Sequence, residues 1–270
     1  QLQVGSCVSF GTATAIEHTI LFEIATWEPA RGPPPAFKDL AQEIIYGGSR
    51  VQVGGGRIRG DGSVGAWAAK FVHDFGFIAR GTYGRWDLTK YTESQCRQLG
   101  QSGCPADLLP IAAKTKIGTT TQIQSADEAA KALQQGYGIA VCSNQGFCRQ
   151  RDKDGFCKPQ GSWAHCMAIL GVQFERKGFF IANSWGDNYF TGPMGKGDGP
   201  RCGFWADWSV VDRMIRQNDT WAFSDADGFP ARQINWRVMN DALPAPERNH
   251  FALKQRRLEV FNLFRDMEIR

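Results

Sequence analysis

The sequence predicts an α+β protein in two lobes, a helical lobe first and a β-rich lobe after it. Apolar residues recur at helical spacing near the start, at Phe10, Ala13, Ile16, Ile20, Leu21 and Ile24. Later the pattern changes to short apolar runs bounded by turn residues, at 137–142, 166–172 and 179–182, which read as buried strands. Gly and Pro clusters separate these regions, and helical residues followed by strands are the α+β pattern.

Taken in order, residues 8–27 read as a buried helix whose start lies at or near Cys7. A thiol there sits at the positive end of the backbone dipole, which favours thiolate. The RGPPP run at 31–35 breaks regular structure, and 37–46 reads as a second, shorter helix. The stretch 47–65 is rich in glycine but lacks the G-K-[ST] ending of a phosphate loop. It reads as a surface loop whose backbone approaches a ligand. A helix follows over 64–75, with Gly76 as its stop. Residues 78–124 read as irregular. Ser125 then caps a short helix reaching Gln135. The three strand runs follow, with a further helix over 208–216. The expected domain is 1–223, with lobes at about 1–120 and 121–223, followed by an extension at 224–270. Within it, residues 249–270 carry Phe251, Leu258, Phe261, Phe264 and Met267 near helical spacing. That amphipathic segment either packs on its own domain or docks a protein partner.

Hydrophobic residues make up 42% of the 270 positions and charged ones 21%, the proportions of a globular chain with a sizeable core. The net charge of +4 is mild, and its Lys and Arg residues are interleaved with acids, so no nucleic-acid footprint is present. No apolar run reaches membrane-spanning length. The sequence does not start with methionine and shows no signal-peptide pattern, so the expectation is a chain processed or cut from a precursor. Of the eight cysteines, Cys148 with Cys157 and Cys96 with Cys104 each bracket a polar loop. Either pair suits a local disulfide in an oxidising compartment, or the thiols stay free and buried. No C-x-x-C or H-x-x-x-H spacing supports a zinc site.

Cys7, His165 and Asn183 carry the chemistry. A cysteine is a good nucleophile as thiolate, and an imidazole holds that state as an ion pair. The imidazole must be oriented by a third group, for which an amide oxygen serves. Charge developing on a carbonyl oxygen needs fixed donors, here a helix-start N–H and the side-chain amide of Gln1.

These residues resemble the papain-like, or cathepsin-like, cysteine proteases. Gln1 stands at the offset from Cys7 of the family's oxyanion glutamine. Gly5-Ser6-Cys7, Phe10 and the Gly60-Asp61-Gly62-Ser63 loop continue the match, and Asn183-Ser184-Trp185-Gly186 is the family's asparagine motif verbatim. His165 just before a strand and the late Cys202-Gly203-Phe204-Trp205 segment complete it. The resemblance covers roughly residues 1–223. It implies a two-lobed fold and peptide-bond hydrolysis with Cys7 as nucleophile, His165 as base and acid, Asn183 as orienter and Gln1 in the oxyanion site. It also implies that Asp61, Gly62 and Ser63 lie beside the substrate and that Trp185 shields the Asn–His bond. No metal or organic cofactor is implied.

Some positions depart from the family. Val8 replaces the usual Trp, Tyr189 stands where a second shielding Trp would be, and the family's disulfide partners fall at Val4 and Gly60. A glycine-rich insert lies between Tyr189 and Cys202. The chain begins at its glutamine, which predicts a loosely held Gln1. Asp207 falls near the floor of the family's main specificity pocket, where it would favour a basic residue two positions before the cleaved bond. Its alternative role is the N-cap of the helix that follows. Two rival functions stand beside the protease: a catalytically silent papain-like module serving binding or assembly, and an acyl transferase with another acceptor.

Overall fold

The buried helix at the start of the chain forms α1 (Cys7–Ala25), and the rest of the molecule is built around it. The structure, a computed structural model, describes residues 1–194 and 198–228, so residues 249–270 lie outside the described part. Buried positions occur on every side of α1, including Ala13, Ala15, Ile16, Leu21 and Phe22 together with Glu17, His18 and Glu23. A helix buried all round needs apolar and small residues on every face, which is why its sequence shows little polar stripe.

The helical lobe adds α2 (Gln42–Gly48), α3 (Gly65–Asp74), α4 (Glu93–Ser102) and the single turn α5 (Leu109–Ala112), with a small hairpin of β1 (Thr82–Tyr83) and β2 (Trp86–Asp87). The second lobe contains β3 (Ile117–Gln122), α6 (Ala126–Gln134), β4 (Ile139–Phe147), β5 (Pro159–Gln173), β6 (Gly178–Ala182), β7 (Gly203–Asp207), α7 (Trp208–Ile215) and β8 (Thr220–Ala226). Its strands form one antiparallel sheet in the order β3-β8-β4-β5-β6-β7. Strand β8 runs through residue 223, where the sequence suggested an edge, to Ala226.

Alternation along the strands covers both faces of this sheet. Ala140, Ala168 and Leu170 join Ile16, Ile44 and Phe71 in a core that spans the lobes. Ile139, Val141 and Ile169 point the other way, into a core with Ala129 and Leu133 of α6 and Val211 and Met214 of α7. Gly11 sets how closely α1 lies on β5. A Cβ there would fall 2.8 Å from Cys166 Sγ and 3.3 Å from the Met167 carbonyl. Asp219, just before β8, joins the lobes by accepting from the first amides of α3, Gly65 and Ala66, at 2.8 Å each.

Three local readings change, and of the two states open to the cysteines one is found. Residues 37–41 are not helical: Leu40 pairs with Ala79, and α2 starts only at Gln42. The glycine-rich run is helical through Gly48 and continues as a wide turn over Ser49–Val53. Gly48 is there for packing, because a Cβ would fall 2.1 Å from the Phe71 ring. Residues 78–124 contain α4 and β3 rather than irregular chain. All eight cysteines are free thiols: Cys96 packs with Val4 and Tyr46, whereas Cys104 belongs to the main core.

Arg151 is buried and, among the described residues, donates to the main-chain carbonyls of Phe190, Gly192, Arg201 and Gly203. Its guanidinium thereby joins the chain leaving Phe190 to the chain entering β7.

Candidate active site

Cys7 is the first residue of α1, so the amides of Cys7 and Val8 are unclaimed within the helix and face its sulfur. Close packing of α1 on β5 brings the Cys166 backbone N–H to the same sulfur. His165 precedes Cys166 in β5, opposite Ser143 of β4. Asn183 follows directly on β6, the neighbouring strand.

His165 Nε2 donates to Asn183 Oδ1 at 2.8 Å. The same oxygen accepts from Ser184 N at 2.7 Å, which fixes the amide orientation, since an NH2 group could not accept there. His165 is 6% exposed and Asn183 5%. Trp185 covers this bond, its ring stacked on the imidazole at 4.3 Å and 27°. Trp163 and Tyr189 in turn pack on Trp185 at 4.8 and 4.7 Å. Asn183 Nδ2 is buried without a hydrogen-bond partner among the described residues, so the contacts of the amide run through its oxygen.

Burial pushes the His165 imidazole down to about 4 against the upward pull of its Asn183 bond. Burial also pushes the Cys7 thiol up, aided by the Cys142 thiol, and the surrounding amides of Cys166, Val8 and Cys7 do not offset it. Cys7 and His165 share no hydrogen bond among the described residues. Both shifts favour the uncharged forms, whereas an ion pair is what the residue types suggest.

Gln1 is firmly held, contrary to the expectation of a loose end. Its main-chain nitrogen donates to Ser184 O at 2.9 Å, and its Oε1 accepts from Ser184 Oγ at 2.6 Å. Its Nε2 donates to Val4 O at 3.2 Å, and Tyr91 OH donates to its carbonyl at 3.1 Å. Gln1 and Asn183 are thus joined through the one residue Ser184.

The likeness to solved structures decides the fold. Xylellain, a cysteine protease from Xylella fastidiosa, matches at 18% identity over 82% of this chain and 79% of that one, with a TM-score of 0.53. The fold is papain-like. Procathepsin L 3 from the Tenebrio molitor larval midgut matches at 17% identity, over 86% of this chain and 64% of that one, with a TM-score of 0.46. The proform of the ragweed pollen cysteine protease Amb a 11 matches at 16%, over 85% and 60%, with a TM-score of 0.49. The chain spans less than two thirds of these two chains. No family model matches the sequence, and no curated protein matches it.

Within this papain-like fold the remaining predicted residues divide. The 61–63 loop lies against the segment leading into α1, since Asp61 Oδ2 accepts from Gly5 N at 3.1 Å. Gly62 turns its main chain inward, donating to Tyr46 OH at 3.1 Å and accepting from Arg50 at 2.5 Å. Ser63 Oγ bonds Ser49 Oγ at 2.8 Å. Asp207 does not join the site. Strand pairing sets Ala182 opposite Gly203 and Gly178 opposite Asp207, so Asp207 lies at the opposite end of β6 from Asn183, roughly 16 Å along the strand. There it lines a groove of about 600 Å³ with Asp127, Phe174, Lys177 and Trp208. It occupies the N-cap position of α7 without making the capping hydrogen bond. Sequence reasoning missed Ser184, Tyr91, Glu93 and Arg97. Ser184 stood inside the asparagine motif, and the other three belong to the stretch read as irregular.

Proposed function

We propose that the protein is a cysteine peptidase that hydrolyses peptide bonds in peptide or protein substrates through a thioester on Cys7. The observation that carries this reading is the His165–Asn183 bond of 2.8 Å, roofed by Trp185, with the next residue, Cys166, donating its N–H to the thiol at the head of α1. A core histidine needs only one partner of any kind. An amide oxygen fixed by a second donor, under a stacked indole, holds the proton on Nε2 and leaves Nδ1 as a base. The cysteine protease xylellain, which shares the fold, supports the same chemistry.

In the proposed reaction His165 removes the Cys7 proton as sulfur attacks the substrate carbonyl. The N–H of Cys7 and the Gln1 amide face the oxyanion. Imidazolium then gives its proton to the leaving amine, the C–N bond breaks, and an acyl thioester remains. Water, deprotonated by His165, attacks the thioester and releases the acid and the thiol. Covering the imidazole with Trp185 strengthens the Asn183 bond by excluding water.

A catalytically silent module is the second reading, favoured by the buried thiol and its lack of a hydrogen bond to His165. Iodoacetamide labelling separates the two. Labelling of Cys7 that falls at least tenfold in His165→Ala, together with peptide turnover abolished by Cys7→Ala, is expected. An unreactive Cys7 in a folded protein would overturn the enzyme reading.

A further inference from the structure

The segment 1–6 carries one oxyanion donor and leads into the nucleophile, yet it has no regular structure of its own. Three of its polar main-chain groups, Gln1 O, Gln3 N and Gln3 O, are met by side chains from the stretch 91–97. Glu93 Oε1 accepts from Gln3 N at 2.5 Å, and Arg97 Nη2 donates to Gln3 O at 2.8 Å. These two side chains lie one turn apart on α4, so together they grip both polar groups of a single residue. Arg97 Nη1 reaches on to Asp61, at 2.9 and 3.2 Å from its two oxygens, while Asp61 Oδ2 accepts from Gly5 N.

We infer that Arg97 is a positioning residue: it ties the oxyanion segment to the 61–63 loop and so fixes Gln1 relative to Cys7. This rests on the peptidase reading above. The positions assigned to a disulfide by resemblance, Val4 and Gly60, are each one residue from this contact, at Gly5 and Asp61. The chain joins the same two segments ionically. Both partners are substantially exposed, with side chains 45% and 40% accessible, so the tie contributes little to global stability. Its effect is on geometry. A guanidinium can bond Gln3 O and the Asp61 carboxylate at once because its donors form a rigid planar fork, which an ammonium lacks. An exposed ionic tie also weakens with salt, whereas a covalent bridge does not.

The experiment uses the full chain and the variants Arg97→Met and Arg97→Lys. Iodoacetamide alkylation requires the thiol but no oxyanion donor, whereas acylation by a peptide substrate requires both. Arg97→Met is expected to lower kcat by about 10-fold to 100-fold, as expected for a displaced oxyanion donor. Its rate of Cys7 alkylation should stay within about twofold of the parent. Arg97→Lys restores charge without the fork and should recover only part of the loss. Equal loss of alkylation and turnover, or turnover unchanged, overturns the inference.

Amide hydrogen exchange supplies a readout that needs no activity. The Gln3 and Gly5 amides should exchange at least tenfold faster in Arg97→Met, with the amides of α1 unchanged. Unchanged exchange at both positions overturns the positioning role. A parent protein that never turns over peptide overturns the peptidase reading instead, and exchange then decides the role of Arg97 by itself.

Discussion

Replacing Gly11 with alanine tests how the site is assembled. A methyl group at this position would fall 2.8 Å from Cys166 Sγ and 3.3 Å from the carbonyl of Met167. Nonbonded heavy atoms settle at about 3.5–4.0 Å, so α1 and β5 must part by roughly 0.7 Å or more along this contact. Overpacking of this kind costs about 1–3 kcal/mol, and the better helix propensity of alanine returns about 0.5–1 kcal/mol. The net destabilisation in Gly11→Ala is thus roughly 0–2.5 kcal/mol, readable by denaturant unfolding. The effect on rate should be larger than that shift suggests. The contact lies one turn from Cys7 on one element and one residue from His165 on the other, so parting them separates nucleophile from base. A displacement approaching 1 Å costs up to about 100-fold, and a fall in kcat/KM of about tenfold or more is expected. Removing the obstructing thiol should restore both, with a coupling of about 1 kcal/mol between Gly11→Ala and Cys166→Ala in a double-mutant cycle. A Gly11→Ala protein of parental activity and stability, or strictly additive effects, would refute this account of how α1 presents Cys7.

Two further perturbations address other parts of the molecule. Trp185→Ala uncovers the His165–Asn183 bond, and kcat measured with a peptide substrate should fall about tenfold with KM little changed; an unaltered kcat would deny the indole its shielding role. Stability should fall in acid, because His165 and His18 are each held near 4 by burial and unfold to imidazoles of ordinary affinity. Their contribution is complete above about 6.5 and is lost as pH drops towards 4. Glu17 acts in the opposite sense: burial raises it to about 7, so its contribution is present below about 4.5 and lost as pH rises through 7. Glu17→Gln, which keeps an acceptor for Leu40 N, should therefore steepen the loss of stability between about pH 6.5 and 4.5, measured by urea titration at several pH values. An unchanged or shallower slope would contradict that sign.

The parts of the fold that could be read directly were those in which local signal and burial agree. The helix after Cys7 is mostly apolar, the helix at 126–134 begins at Ser125, whose hydroxyl accepts from Glu128 N, and the three strand runs are buried up to their last residues at Cys142 and Val172. Helix α4 was missed although Thr92-x-x-Gln95 has a capping signature, and Thr92 Oγ1 does accept from Gln95 N at 3.3 Å. Its polar sequence buries only Cys96, Leu99 and Gly100, and the flanking cysteines suggested a loop instead. Strand β3, IGTTTQ, shows one fully buried residue and hence no alternation to detect. In the candidate site, residue types and order were legible because each motif is local. The inward turn of Gly62 and the distance of Asp207 were not, since both depend on partners far along the chain. The thiol's raised affinity for its proton was hidden for the same reason: it follows from burial, which no motif encodes.

Arg151 has a consequence for how this protein could be altered. One guanidinium clasps carbonyls from the two ends of the glycine-rich insert, Phe190 and Gly192 at one and Arg201 and Gly203 at the other, so those ends are stapled together. Once a loop's ends are fixed, lengthening it costs only about 0.6 kcal/mol for each doubling. The insert is therefore a natural graft point, where a peptide tag or a small folded module can be spliced in while β7 and the strand leading to Asn183 keep their register.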